Sequence, residues 1–302
     1  MLALGSALLS SPANSPAAQA AGIKLPYPGF TGNVAQALRP FPQYQNILWR
    51  DVPTGKSLYQ ALEVVLEKHF SRGLQFRLGY TYSRLENDGA ESAQGGNGAN
   101  QGVQNPVCTQ KCEYGLSADD TPHVFLVAYS WEIPTPNRLK SGATNFLFGG
   151  WNVSGVMRYE SGRPLNIFMN NDLGGFLFNG QKRPNRVSGS SGLASGPFDP
   201  NGTAGYFNPA AWSDPGPLQF GNAPRRDGSV RSFPTYNEDL SLFKVFPIRE
   251  RLKMRFESEF GNIFNRVDFC DPNTNFSAGS FGRVSTQCNQ PRSIQFALRL
   301  SY

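Results

Sequence analysis

The chain has 302 residues, of which 17 % are charged and 13 % aromatic, and it carries a formal charge of +6. No run approaches the ~18 apolar residues that a membrane-crossing helix needs, and a mean hydropathy of −0.39 says little about strands, which would meet lipid only at every second residue. Lys and Arg are scattered rather than gathered into one stripe, with no helix-based or RNA-binding signature, so no nucleic-acid partner is expected.

The first segment reads as a loop. Leu2–Leu9 is mildly apolar and Ala18-Gln19-Ala20 resembles a small-residue cleavage site, but no Lys or Arg precedes it, and Pro12 and Pro16 interrupt it. Residues 1–57 are therefore expected to be a lead-in, with residues 58–302 carrying strands.

From there the dominant signal is period-two alternation, which puts every second side chain on one face of a strand. Leu58–Phe70 sets Leu62, Val64, Leu66 and Phe70 against Glu63, Glu67 and His69. After the turn Ser71-Arg72-Gly73, Leu74, Phe76, Leu78, Tyr80 and Tyr82 alternate with Gln75, Arg77, Gly79, Thr81 and Ser83, a hairpin pattern. A third strand over 123–133 has Phe125, Val127, Tyr129 and Trp131 in phase, with Val124, Leu126 and Ala128 making its other face less polar. A fourth, Trp151–Glu160, sets Trp151, Val153, Met157 and Tyr159 against Asn152, Ser154, Arg158 and Glu160. The fifth, 236–246, carries Leu240 and Leu242 against Asp239 and Ser241, and Lys244 blurs it. In the sixth, Leu252, Met254, Phe256 and Phe260 face away from Lys253, Arg255, Glu257 and Glu259. The last strand alternates Ile294, Phe296, Leu298, Leu300 and Tyr302 with Ser293, Gln295, Ala297, Arg299 and Ser301.

The connections alternate in length. Those over 84–122, 161–235 and 265–291 are long, and those over 71–73, 134–148 and 247–250 are shorter. In an up-and-down sheet alternate connections lie at the same edge, so all the long loops fall on one side. Short periplasmic turns with long extracellular loops are the pattern of outer-membrane barrels. A soluble β-sandwich also fits the alternation, but it requires neither one-sided loops nor Tyr and Trp on the apolar faces. The expected fold is all-β: an antiparallel, up-and-down transmembrane β-barrel segment of about seven strands, an incomplete barrel. Phe76, Tyr80, Tyr82, Tyr129, Trp131, Trp151, Tyr159, Phe256 and Phe260 are expected on the lipid face or in its aromatic belt. Glu63, Glu67, Arg77, Arg158, Glu160, Arg255, Glu257 and Glu259 are expected to line a wet lumen, paired across strands or against a plug.

Other constellations point to no chemistry. The only histidines, His69 and His123, fall near opposite edges of the sheet, so neither a shared metal site nor a nucleophile triad is expected, and no enzyme or cofactor role. Cys108 and Cys112 lie in one long loop, and Cys270 and Cys288 flank another; in an exported protein this suits two disulfides, 108–112 and 270–288, better than zinc. Arg183, Arg186, Arg225, Arg226 and Arg231 of the 161–235 loop are read as solvated charge ahead of a site for an anionic ligand.

Several stretches resemble the Oar-like group of TonB-dependent receptors: Asn14–Ile23, Pro26–Phe30 and Ala37–Tyr44 near the start, then Phe256–Asn265, Gly279–Arg283 and Asn289–Arg292 with the final strand. In that family a cleaved signal, a carboxypeptidase-regulatory-like β-sandwich and a plug precede a large barrel. None of the three is recognisable here, so the resemblance implies the C-terminal part of the barrel. The partners it implies are outer-membrane lipid, the missing strands and plug, and TonB only through that plug. It also implies that Ile294, Phe296, Leu298, Leu300 and Tyr302 form a C-terminal assembly signal. The function expected from it is energy-coupled uptake of an unidentified substrate. The alternative is a structural or adhesion protein that displays loops without transport. A self-contained barrel of eight strands, with Tyr44–Trp49 as the extra one, is the third reading weighed.

Overall fold

The computed structural model describes residues 1–44, 55–88, 104–105, 112–170, 181–200 and 205–302. In chain order its strands are β1 (Ser57–Ser71), β2 (Leu74–Asn87), β3 (Gly115–Leu116), β4 (His123–Glu132), β5 (Trp151–Glu160), β6 (Pro164–Leu165), β7 (Asn185–Arg186), β8 (Trp212–Ser213), β9 (Asp227–Arg231), β10 (Thr235–Pro247), β11 (Lys253–Gly261) and β12 (Ser293–Ser301). The seven long strands form one sheet in the order β1-β2-β4-β5-β10-β11-β12, and β3 adds to β2 to make it eight-stranded. Every neighbouring pair is antiparallel. Among the described residues β1 and β12 are the edges of this sheet.

The register follows from the alternation. Across β2 and β4 the pairs are Leu74 with Trp131, Phe76 with Tyr129, Leu78 with Val127 and Tyr80 with Phe125. Across β11 and β12, Phe256 meets Leu298 and Phe260 meets Ile294. A slip of one residue would put Gln75 and Arg77 on the apolar face, which strongly penalises any other pairing. The β1–β2 hairpin closes through Arg72 (φ 54°) and Gly73 (φ 80°). Two successive positive-φ residues match the right-handed twist of the strands, and glycine at the second spares a side chain that strain.

The ordered cores lie off the sheet. Leu165, Ile167, Phe207, Ala211, Trp212 and Val230 form one cluster at the long-loop edge, where β6 pairs with β9 and β7 with β8. The sheet's apolar face stays open: Leu62, Phe296 and Leu298 are each exposed by more than 60 %.

Three segments differ from the sequence expectation. The lead-in is not a plain loop. It holds short helices at Ser6–Ser10, Pro16–Ala20 and Val34–Ala37, and Leu9, Ala18, Val34 and Ala35 bury against one another with Leu218 alongside. Ser15 and Asn33 cap the second and third through the Ala18 and Gln36 amides. Helices of four or five residues are too short to show a 3.6-residue period. The second strand runs on to Asn87, because Arg84 and Glu86 continue the outward alternation as polar residues in water, where the apolar signal disappears. The 134–148 connection contains a helix, Gly142–Phe148. The proposed extra strand Tyr44–Trp49 lies outside the described residues beyond Tyr44.

Candidate functional site

One face of the sheet is polar along its width. In register across β4, β5, β10, β11 and β12 stand Ser130, Ser154, Ser241, Glu259 and Gln295, with Gln75 of β2 opposite Ser130. The next row holds Glu67, Arg77, Ala128, Val156 and Asp239. These side chains line a cleft of about 770 Å³ on the inner face. Small groups such as Ser130, Ser154, Ser241 and Ser293 leave the space open rather than filling it.

Charges on this face pair at short range. Arg77 and Glu67, directly opposite across β1 and β2, approach to 3.1 Å. Arg158 pairs with Glu160, and Arg255 with Glu257 at 3.0 Å, each two residues along one strand and hence on the same face. Exposed pairs of this kind contribute ~0–1 kcal/mol, so they do little to hold the fold; of the three, Glu67 and Arg77 line the cleft.

The opposite face is the expected apolar one. Toward the short-connection ends of their strands lie Phe76, Trp131, Trp151 and Phe256; toward the long-connection ends lie Tyr80, Tyr82, Tyr159 and Phe260. Tyr129 sits midway and lies over Gly155, where an added β-carbon would be 2.8 Å from the Tyr129 hydroxyl. From Trp151 to Tyr159 the strand rises about 27 Å at ~3.4 Å per residue. With the tilt of barrel strands that spans the apolar band of a membrane, ~25 Å tall. Ile294, Phe296, Leu298 and Leu300 are exposed along β12 at the sheet's edge, and Tyr302 is exposed just past its end.

Among the charges that point out of this face, two come from β10. Glu238, 1 % exposed, accepts from Arg266 Nε at 2.8 and 3.0 Å. Lys244 turns to the short-connection edge and meets the end of helix Gly142–Phe148, donating to the carbonyls of Asn145, Phe146 and Gly149. The break Lys244 makes in the sequence alternation therefore has a local partner that the alternation could not reveal.

At the long-loop edge the arginines of 161–235 correct the sequence reading: they are not simply solvated. Arg183, 4 % exposed, grips Glu113 with both terminal nitrogens at 2.7 and 3.0 Å. Arg225, also buried, donates to the Asn87 and Glu113 carbonyls at 2.9 and 3.1 Å. Arg231 reaches Asp120 at 2.7 Å, and Arg186 reaches Asp227 at 3.1 Å while stacking over Trp212. Gln104 bridges the same network, its backbone N–H donating to Glu113 and its side-chain Oε1 accepting from Arg183 N. Thus the second and fourth connections close over each other as one cap. The arginine pairs that join the two connections lie 70 and more residues apart, so no local spacing announces them.

The third long connection carries the Cys270–Cys288 disulfide, with Cα atoms 5.0 Å apart. Cys112 is also disulfide-bonded, and Cys108 lies outside the described residues. Burial raises the Asp268 carboxyl above its usual range; Glu238 adds to the shift, while the Tyr236 amide and Arg266 oppose it. His69 and His123 stand at opposite ends of the strands; His123 Nδ1 lies 2.9 Å from the Tyr80 hydroxyl. Among the described residues no group of three or more His, Cys, Asp and Glu side chains converges.

A family model described as an outer membrane beta barrel domain matches residues 4–295. No curated protein and no solved structure gives a significant match.

Proposed function

The chain belongs to the outer membrane β-barrel domain family and resides in the outer membrane, and from that premise we propose that it forms part of the wall of a TonB-dependent transporter of the Oar-like type. The observation that carries this reading is the inner face, where a row of Ser, Gln and Glu side chains crosses the sheet and stays open as a cleft. Barrels of about eight strands are filled by their own side chains, whereas those of about 22 strands enclose a plugged lumen. A wet wall of Ser, Gln and paired charges suits the second class. The edges β1 and β12 of the described sheet are compatible with it, because a sheet in lipid must close. The resemblance of Phe256–Asn265 and Gly279–Arg283 to that receptor group adds the coupling by TonB.

In this reading the chain does no catalysis. It contributes the lumen wall, and its cap of stapled long loops forms part of the outer mouth through which substrate enters. Coupling to TonB passes through a plug supplied by preceding sequence. The test is to read the genomic DNA upstream of the Met1 codon in all three frames. A plug and about 15 further strands, in phase or one frameshift away, support transport, since such barrels total about 22 strands. A promoter and stop codon with nothing barrel-like before them would sink it and leave surface display as the function.

A further inference from the structure

The helix Gly142–Phe148 lies on the lipid side of the sheet, at the edge of the short connections. Its contacts establish this. Phe146 meets Phe246 with ring centroids 5.1 Å apart, and Trp151 Nε1 donates to Leu147 O at 3.0 Å. Phe246, Trp151 and Lys244 all project from the apolar face. Lys244 runs along that face and places its ammonium on three carbonyls at the helix end, where the helix dipole is negative. Every residue of the helix is exposed, with Phe146, Leu147 and Phe148 at 47, 54 and 61 %. An apolar helix held outside the barrel wall, continuous with the lipid face and level with its edge, sits where headgroups meet acyl chains.

Charge along the same edge agrees. Arg72, Arg138, Lys140, Arg249, Arg251 and Lys253 are all exposed on the short connections or beside them, and Glu132 and Glu250 are the acids among them. Short connections face the periplasm, where the leaflet is made of phospholipid. A basic rim above an apolar helix complements phosphate above acyl chain.

We propose that Gly142–Phe148 is an in-plane anchor in the periplasmic phospholipid leaflet, locked to the barrel wall by Lys244 and flanked by a basic rim that binds lipid phosphate. It rests on the membrane barrel and not on the transport reading, so either can fail alone.

The test uses the full chain folded in vesicles of phosphatidylethanolamine and phosphatidylglycerol. A spin label is placed at position 147 (Leu147→Cys), with references at Leu298→Cys on the lipid face and Glu250→Cys in a short turn. Accessibility to oxygen and to a water-soluble nickel chelate is then compared. The anchor predicts a label at 147 that favours oxygen several-fold over the chelate, between the two references and nearer to 298. Lys244→Met should shift that label toward water while 298 stays lipid-exposed. A label at 147 that matches 250, or that neither reagent reaches, overturns the anchor. A label unmoved by Lys244→Met overturns the lock. If 298 itself lies in water, the barrel placement beneath the proposal falls.

Discussion

Glu113 is the most demanding test of the long-loop cap. It is 1 % exposed, accepts both terminal nitrogens of Arg183 at 2.7 and 3.0 Å, and accepts the Gln104 amide at 3.0 Å. Glu113→Ala leaves the guanidinium in its buried position without that carboxylate, a loss of about 3–5 kcal/mol. At ~1.4 kcal/mol per factor of ten, local opening of the cap should become about two to three and a half orders of magnitude more populated. The sheet's own pairing is untouched, so the opening is local. The assay is protease cleavage within the second and fourth connections of the membrane-folded protein, with loss of heat-resistant barrel mobility as the control. Glu113→Leu with Arg183→Met removes both charges and should return cleavage close to the native rate, because desolvation offsets most of the pair's attraction. If Glu113→Ala speeds cleavage by less than about fivefold, equivalent to ~1 kcal/mol, water reaches the pair and the buried-staple account is wrong.

Phe296→Arg puts a charge on the lipid face of β12 and should cost about 2–4 kcal/mol of folding in vesicles, while Ala297→Arg on the inner face should cost little; equal losses would mean the faces are misassigned. Replacing Cys270 and Cys288 by Ser releases a loop of 18 residues' separation and should lower its local stability by about 3 kcal/mol, read by hydrogen exchange over residues 270–288. The raised Asp268 carboxyl favours the protonated form in the folded loop. Its contribution is therefore full below the ordinary Asp value, about 4, and is lost as pH rises through the raised one. Asp268→Asn should remove that slope from exchange protection corrected for intrinsic pH effects; identical pH profiles for the two proteins would refute it.

The long strands were legible in the sequence because a strand's faces are a local property. Leu74 through Tyr82 declare their face by alternation alone, and the paired register follows once each face has one environment. Loop length likewise assigned the long connections to one edge. Tertiary structure decided what depends on distant partners or on polar surroundings. Arg225 meets Asn87 across 138 residues, so buried arginines read as solvated ones. Lys244 reads as a fault in its strand until the helix end 95 residues away receives it. The first 44 residues pack through pieces too short to carry a period, and only the burial of Leu9 against Val34 shows that they fold. Periodicity reports the environment of neighbours along the chain, whereas a buried charge or a docked helix is set by residues that only the closed chain brings together.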